Sequence, residues 1–275
     1  MNWLQGILYG FVSGLSEFLP ISSNAHQQIL MHLFGVERID PVRNFVIHIA
    51  LLLSLISACR TMFEQVRRDA KIQQRTSRRA TRQSRIALDM KLVKAAALPL
   101  MFGMIVFTYF TRIKLDLIAV SAFLLINGII LFIPDRMLQA NKDVRAMSGL
   151  DSLLIGVAGA LSGFCGISRT GSMMSAAVAR GADRQNALTW ILLLSVPALI
   201  LMSAMDLFGI FTISTDINFW GNFLSYILSG ISAYVGGYIS VMLLKFFTAN
   251  NGISSFCYYS WGAALFTFIV YLTAV

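Results

Sequence analysis

Charged residues are scarce in this sequence, and those present are unevenly placed. They make up 13% of the 275 residues, whereas 57% are hydrophobic and the mean hydropathy is +0.71. This balance excludes a soluble domain and is typical of a polytopic membrane protein. The three cysteines are scattered in apolar surroundings, so we expect neither a disulfide framework nor a zinc site. The first residues, MNWLQG, contain no basic residue, so we expect no cleavable signal peptide.

Most of the positive charge lies in one segment, between Arg60 and Lys94. It holds eleven Lys and Arg residues against three acidic ones, in a chain whose net charge is +9. A nucleic acid could bind such a segment, but hydrophobic stretches flank it on both sides. We therefore interpret residues 63–92 as a basic cytoplasmic loop that obeys the positive-inside rule and contacts anionic lipid headgroups. We expect no nucleic-acid partner.

Apolar runs of membrane-spanning length predict six transmembrane helices. They lie at about residues 44–62, 93–111, 116–134, 186–207, 219–246 and 255–274. Two other apolar segments are broken by glycine, proline or polar residues, at residues 1–36 and 151–180. Neither offers an uninterrupted span, so each predicts a re-entrant helix–loop–helix. The fold class is therefore an all-α polytopic membrane protein with six transmembrane helices and two re-entrant segments.

The two broken segments resemble each other. Gly10–His26 and Gly156–Ser172 align at an offset of 146 residues with six identities in seventeen positions. The identical pairs are Gly10/Gly156, Leu15/Leu161, Ser16/Ser162, Phe18/Phe164, Ile21/Ile167 and Ser22/Ser168. Each half, residues 1–134 and 151–275, then has one re-entrant pair and three spans. Since three is odd, the halves form an inverted-topology repeat. Chance similarity between two Gly/Ala/Leu-rich segments is the alternative.

The distribution of charge predicts the orientation of the chain. With the basic segment inside, the first broken segment opens to the outer face and the second to the cytoplasm. The connection from Leu207 to Asn218, which has no Lys or Arg, then lies outside. We expect the tips of the two broken segments to meet within the membrane, because paired broken segments of this kind form binding sites.

Polar residues of the first tip are candidates for chemistry. Glu17 is the single carboxylate there, and an ionisable residue at membrane depth is costly, which favours a functional role. Capping of the next helix is the alternative. His26 follows Ser22 by four residues and Ser23 by three, so a helix that starts here brings the imidazole near both hydroxyls. That is the minimum for an activated nucleophile, although a structural histidine stays open.

The second tip consists of Ser168, Arg169, Thr170, Gly171 and Ser172. It places a guanidinium and three hydroxyls in a turn before a short helix, which is a good receptor for phosphate. An arginine at this depth needs an anion, and Glu17 is the alternative partner, in a purely structural ion pair. His48 is a further candidate, with a buried, hydrogen-bonded histidine as the alternative.

These stretches resemble the undecaprenyl-pyrophosphate phosphatases, also called bacitracin-resistance proteins. The matching stretches are Ser13–His26, the FVIH around His48, and Gly166–Ser172, and the likeness covers essentially the whole chain. The resemblance implies six transmembrane helices with two re-entrant regions in inverted repeats. It also implies removal of the terminal phosphate from undecaprenyl pyrophosphate at the outer face of the bacterial cytoplasmic membrane, which recycles the cell-wall carrier lipid.

The resemblance implies roles for individual residues, and those that match its motifs are Glu17, Ser22, Ser23, His26, Ser168 and Arg169. Ser23 takes the place of the proposed nucleophile, and His26 would move its proton. Arg169 would hold the phosphoryl oxygens together with the hydroxyls and N–H groups of its loop. Glu17 would bind one Mg²⁺ or Ca²⁺ ion or orient His26.

Four positions depart from the family pattern. Ser13 replaces a glutamate, Asn44 an acidic residue, Cys165 a proline and Met173 a threonine. The first change removes a hard oxygen ligand from a divalent metal. We expect a divergent phosphatase whose partners are the bilayer and a polyprenyl pyrophosphate lipid, and a homodimer is compatible with the sequence. The rival is a non-hydrolytic protein that binds polyprenyl phosphates or moves them between leaflets.

Overall fold

The computed structural model describes residues 1–75, 90–111, 116–133, 136, 147–213, 219–250 and 253–274, and within these ranges the chain forms α-helices and no β-strand. The helices are α1 (Trp3–Phe18), α2 (Ser23–Leu33), α3 (Pro41–Ala58), α4 (Arg60–Arg75), α5 (Met90–Thr111), α6 (Leu117–Phe132), α7 (Gly149–Ala160), α8 (Arg169–Ala179), α9 (Arg184–Ile213), α10 (Phe219–Asn250) and α11 (Phe256–Ala274).

Four of these helices contain segments that are long and apolar enough to cross a membrane. The segments are Pro41–Ala58, Arg184–Thr212, Phe219–Asn250 and Phe256–Thr273. The other two predicted spans coincide with α5 and α6, whose apolar parts, Leu92–Phe107 and Leu117–Phe132, are shorter. The described ranges are therefore all-helical, and the chain is a polytopic membrane protein, as its composition predicts.

The first broken segment is made of α1 and α2. A capping box between Asn2 and Gln5 begins α1, since each side chain accepts a hydrogen bond from the other residue's backbone N–H. The helix ends at Phe18, just before Pro20, which has no N–H with which to continue it. After a short turn, Ser23 begins α2. The predicted break therefore occurs where proline requires it.

The second broken segment repeats this arrangement with α7 and α8. A capping box between Ser148 and Asp151 begins α7, which passes into a 3-10 turn over Leu161–Gly163. The chain is extended at Ser168, and its side-chain oxygen caps α8 by accepting a hydrogen bond from the N–H of Gly171 (3.2 Å). The break predicted within residues 151–180 is confirmed.

Each broken segment packs its first helix against a helix of the other half of the chain. α1 lies along α10 in parallel, and α7 lies along α5. The contact of α1 is made by glycines one turn apart, because a Cβ on Gly10 or Gly14 would overlap backbone carbonyls of Ser229 or Ala233. The absence of side chains at these positions allows the two backbones to approach closely.

Part of the segment predicted as a basic loop is helical. α4 follows α3 almost without interruption, and Glu64 contacts Arg60 (3.1 Å) and Arg68 (3.8 Å) on its exposed surface. Such pairs, four residues apart, support a helix in water. Residues 76–89 of the predicted loop lie outside the described residues. The cytoplasmic location of residues 63–92 stays a prediction.

Candidate active site

The tips of the two broken segments contact each other directly, as the sequence predicts. The N–H of Gly166 donates to Ser22 Oγ (3.2 Å), and the hydroxyl of Thr170 donates to the carbonyl of Glu17 (3.3 Å). The amide of Asn24 also reaches across, to the carbonyl of a residue in the 3-10 turn, Ser162 (3.2 Å). Polar groups separated by more than 130 residues in sequence are thereby brought into one cluster.

A buried amide on α6, Asn127, joins the two tips from a third side. Its Nδ2 donates to the carbonyl of Pro20 (3.1 Å) and to Ser260 Oγ (2.9 Å), and its Oδ1 accepts from the N–H of Ser168 (2.8 Å). Sequence reasoning missed this residue. The available signal was an amide in an otherwise apolar run, which is costly in a membrane unless its hydrogen bonds are satisfied.

Glu17 and Arg169 form a buried ion pair. Arg169 Nη2 lies 2.8 Å from Glu17 Oε1, and each side chain is only 6% exposed. The alternative in which Glu17 is the partner of the arginine is therefore realised. Glu17 does not act as a cap in this structure, because its observed partner is Arg169. Ser22, which precedes α2, makes no side-chain capping bond either.

Arg169 keeps hydrogen-bonding capacity beyond this pair. Its Nη1 contacts only the thioether of Met202 (3.6 Å), which is a weak acceptor, and its buried Nε has no hydrogen-bond partner among the described residues. A buried donor without an acceptor costs about 1–3 kcal/mol. The guanidinium can thus hold Glu17 and still receive an anionic oxygen, so the ion pair and the phosphate receptor are compatible.

The other polar groups of the second tip already have partners within the protein. Ser168 Oγ caps α8 and lies 3.4 Å from the carbonyl of Leu19, while Ser172 Oγ donates to the carbonyl of Ser168 (2.7 Å). Gly171 has no room for a side chain, because a Cβ would come within 2.8 Å of Leu131. These residues stabilise the turn. Within this tip, Arg169 is the residue whose N–H donors lack a strong acceptor.

The serine pair of the first tip adopts an unusual backbone. Ser22 has φ 68° and ψ 97°, and it is the one non-glycine residue with positive φ in the described ranges. Such a conformation costs about 1–3 kcal/mol and is concentrated at functional sites. Ser23 Oγ donates to the carbonyl of Ser13 (3.3 Å) and accepts from Gln27 Nε2 (3.4 Å). Both contacts are long, so this hydroxyl is weakly held.

His26 does not form the predicted hydrogen bond with a serine hydroxyl. Its Nδ1 lies 2.8 Å from the carbonyl of Ser22, and its Nε2 lies 2.7 Å from the hydroxyl of Tyr259 on α11. The carbonyl can only accept, so Nδ1 carries the proton and Nε2 accepts from the tyrosine. The spacing did bring His26 next to Ser22. However, Nδ1 is hydrogen-bonded to the backbone carbonyl of Ser22 and not to its hydroxyl.

His48 pairs with an acidic residue of α9 and not with a group of either tip. Its Nδ1 is 2.5 Å from Asp206 Oδ2, and this buried pair joins α3 to α9. The alternative of a buried, hydrogen-bonded histidine is therefore the one realised for His48. Its partner, Asp206, was not predicted, since an acidic residue near the end of a long apolar span carries no local sequence signal for this pairing.

An apolar cleft of about 540 Å³ opens beside His26. It lies between α1, α2 and α11, and its lining includes Val12, Leu15, Ile29, Leu33, Tyr259 and Phe266. Gly262 forms part of the wall, and a Cβ added there would meet no atom within 4 Å. A largely apolar cleft with a few polar groups at one side is the usual form of a ligand site.

Few of the ligands that a divalent cation needs are available at the tips. The described part of the chain contains no group of three or more His, Cys, Asp or Glu side chains that could hold a metal ion. Glu17 offers one carboxylate oxygen beyond the one bound to Arg169, and Ser13 Oγ, one turn earlier on α1, is buried without a hydrogen-bond partner. These hard oxygens fit Mg²⁺ or Ca²⁺ only if the substrate supplies further ligands.

The chain matches the model of a known family and is similar to relatives that bear an enzyme's name. The family model described as "Bacitracin resistance protein BacA" matches residues 6–266. An undecaprenyl-diphosphatase of Thermosipho africanus is 28% identical over 97% of this chain and 100% of its own length. Undecaprenyl-diphosphatase 3 of Bacillus cereus is 26% identical over the full length of both chains. These identities are those of a divergent member, and the chain belongs to the bacitracin resistance protein BacA family.

Proposed function

We propose that the protein is a membrane phosphatase that hydrolyses undecaprenyl pyrophosphate to the monophosphate and so recycles the carrier lipid of cell-wall synthesis. The observation that carries this proposal is a buried arginine with free donors, in a cluster of polar residues beside an apolar cleft. Membership of the BacA family and relatives named undecaprenyl-diphosphatase support it. A substrate with a charged diphosphate and a long isoprenoid chain requires both the polar cluster around Arg169 and the apolar cleft.

The isoprenoid chain would lie in the apolar cleft, and the diphosphate would lie at the two tips. His26 links these regions, since its ring lines the cleft while its Nδ1 contacts Ser22, which is bonded to Gly166 of the second tip. The cleft holds only the first part of a C55 chain by volume, so the remainder would extend into the bilayer. This geometry predicts a preference for lipid over soluble diphosphates.

Ser23 would act as the nucleophile. Its oxygen would form a bond to the terminal phosphorus as the bond from that phosphorus to the bridging oxygen breaks, releasing the lipid monophosphate; water would then free the phosphate from the serine. Arg169 would bind the phosphoryl oxygens through the nitrogens that Glu17 does not use. His26 would take up and return the proton through Nε2, the nitrogen that lacks one, after substrate binding turns the Tyr259 hydroxyl away from it.

We propose that Mg²⁺ or Ca²⁺ assists this reaction and is held by Glu17, the Ser13 hydroxyl and diphosphate oxygens of the substrate. A bound dication would neutralise part of the phosphate charge. Since Glu17 also pairs with Arg169, the protein contributes little net negative charge to such a site. We therefore expect the metal to bind weakly, so that activity needs millimolar rather than micromolar concentrations of the cation.

We further propose six transmembrane helices and two re-entrant segments in an inverted repeat of residues 1–134 and 151–275. The reciprocal packing of α1 on α10 and of α7 on α5 supports it, because a two-fold relation between the halves would exchange these pairs. The protein would lie in the bacterial cytoplasmic membrane with its active site open to the outer face. A homodimer stays a prediction.

The test is phosphate release by the purified protein in nanodiscs, with undecaprenyl and farnesyl pyrophosphate, with and without Mg²⁺ or Ca²⁺. We expect turnover that Ser23→Ala abolishes. Gly262→Leu should raise KM for the undecaprenyl substrate at least about tenfold, because the new side chain projects into the cleft without touching protein. Gly149→Leu, a matched change where a Cβ also meets nothing, should have no effect. Tight lipid binding without phosphate release would overturn the phosphatase in favour of a non-hydrolytic binder.

A further inference from the structure

A second buried arginine, Arg43, lies at the N-terminal end of α3. The residue is only 3% exposed, yet it forms no ion pair with an acidic side chain of the described ranges. Its Nη1 donates instead to Ser225 Oγ (3.0 Å) and to Ser229 Oγ (2.7 Å) of α10. Arg169, which is buried to a similar degree, has a carboxylate at 2.8 Å. An arginine in a membrane-spanning helix is costly without an anion, so Arg43 marks a candidate binding site.

The two serines hold Nη1 in place but do not neutralise the arginine. The hydroxyl of Ser225 donates its own proton to the carbonyl of Asn2 (3.4 Å), and the hydroxyl of Ser229 donates to the carbonyl of Ser225 (2.7 Å). Both oxygens are therefore available to Arg43 as acceptors. Since a hydroxyl carries no net charge, the positive charge of Arg43 stays uncompensated by these contacts.

The acidic residue nearest to Arg43 in the sequence, Asp40, has other partners. Its Oδ1 accepts from the N–H of Val42 (2.9 Å), and its Oδ2 accepts from the hydroxyl of Tyr226. The guanidinium carbon of Arg43 lies over the Tyr226 ring, 5.3 Å from its centroid. A ring face attracts a cation, but it accepts no hydrogen bond in the plane of the guanidinium.

One edge of the guanidinium is free to bind a ligand. Nε and Nη2 make no hydrogen bond to a described residue, and each keeps some surface accessible to solvent. These two nitrogens form the edge that binds an anion through two parallel hydrogen bonds. The surroundings also favour an anion, because two helix N-termini meet here. Arg43 is the third residue of α3, and a Cβ on Gly6, near the start of α1, would lie 2.5 Å from Nη1.

We propose that Arg43 binds a phosphate group through Nε and Nη2, at a site separate from that of Arg169. Glu17, the partner of Arg169, follows Gly6 by eleven residues on α1, which is about 16 Å along the helix axis. Two sources can supply the phosphate group. One is the inorganic phosphate that the reaction releases, which rests on the proposed function, and the other is the headgroup of a phospholipid.

The test is the thermal unfolding midpoint of the purified protein in detergent without phospholipid. Inorganic phosphate is added in one arm and dioctanoyl phosphatidylglycerol in the other, against chloride at equal ionic strength. An Arg169→Lys background weakens the first phosphate site, so the remaining stabilisation reports Arg43. Adding Arg43→Lys should raise the apparent Kd at least about tenfold, because an ammonium lacks the planar edge. Arg180→Lys, which changes an arginine already paired with Asp151, should leave the Kd unchanged.

A second variant keeps the test decisive if Arg43→Lys does not fold. Asp40→Asn removes a nearby negative charge but keeps an oxygen that can cap α3, so it should lower the apparent Kd severalfold. If Arg43 were only a structural cation, neither substitution would alter the response to phosphate.

The two arms identify the source of the phosphate group. Stabilisation by inorganic phosphate supports a site for the free ion, and stabilisation by phosphatidylglycerol alone supports a headgroup site. Stabilisation in neither arm would overturn the proposal. A wild type that releases no phosphate from undecaprenyl pyrophosphate would instead overturn the proposed function, and the binding measurements would still decide whether Arg43 holds a phosphate group.

Discussion

Replacing Glu17 by Gln should destabilise the protein far more than the loss of most charges would. The substitution keeps the shape of the side chain and one acceptor oxygen but removes the negative charge that faces Arg169 at 2.8 Å. Arg169 would remain buried, with Nε already unpartnered and Nη1 on a thioether. The guanidinium is almost fully buried and does not lose its proton.

The expected magnitude follows from this burial. Breaking a buried ion pair by removing one partner costs about 3–5 kcal/mol, because the other charge is left uncompensated. Gln keeps one amide oxygen that can accept from Arg169. We therefore expect Glu17→Gln to lower the free energy of unfolding by about 3 kcal/mol, near the lower end of that range. The exposed pair of Arg60 and Glu64 provides the control, since Glu64→Gln should cost only about 0.3–0.5 kcal/mol.

The assay is unfolding by SDS in mixed micelles, followed by circular dichroism. The double variant Glu17→Gln with Arg169→Met should recover most of the lost free energy, because it also removes the buried charge that Glu17→Gln leaves uncompensated. Pyrophosphate at a hundred times its dissociation constant should restore about 2.7 kcal/mol to Glu17→Gln and nothing to the double variant. A Glu17→Gln protein within about 1 kcal/mol of the wild type would refute the reasoning.

Three further predictions concern the metal, the arginine and the topology. Arg169→Lys should lower turnover at least about tenfold with little change in stability, because an ammonium cannot bind Glu17 and phosphate as a planar fork does; near-normal turnover would argue against the phosphate receptor. Ser13→Glu should lower the Mg²⁺ or Ca²⁺ concentration for half-maximal rate while reducing thermal stability, since it adds a buried carboxylate one turn before Glu17. A variant that is destabilised with no change in metal dependence would count against the metal site. Cysteine at the exposed Phe211 should be labelled from outside intact cells and cysteine at Arg67 should not, and the reverse pattern would invert the orientation.

The sequence predicts the helices and their breaks well, because both depend on local properties. The length of apolar runs determines the spans, and Pro20 determines where α1 ends. The basic segment is less well predicted, because Arg60–Glu64 and Arg68–Glu64 pairs extend a helix where only a loop was expected. The contact of Glu17 with Arg169 was foreseen as an alternative, because an unpaired charge at membrane depth is so costly.

The remaining parts of the site depend on which faces of apolar helices meet, and periodicity does not determine that. Asn127 and Tyr259 lie on different helices, more than 100 residues along the chain from Pro20 and His26, the residues of the first tip that they contact. The spacing of His26 from Ser22 predicted proximity correctly, but it did not distinguish a hydroxyl from a backbone carbonyl as the partner. A choice between two nearby acceptors is decided by ångström-scale packing.

The close packing of α1 against α10 affects how the protein is made. α1 ends at Phe18 and α10 begins at Phe219, so at about 5–20 residues per second the ribosome needs about 10–40 s to supply the second helix after the first. During that interval the glycine face of α1 has no partner, although Arg169, the partner of Glu17, is already made. The N-terminal helix is thus the first to be inserted and among the last to be completed. A chain cut short before Phe219 would carry the first motif without the helix surface on which its glycines pack.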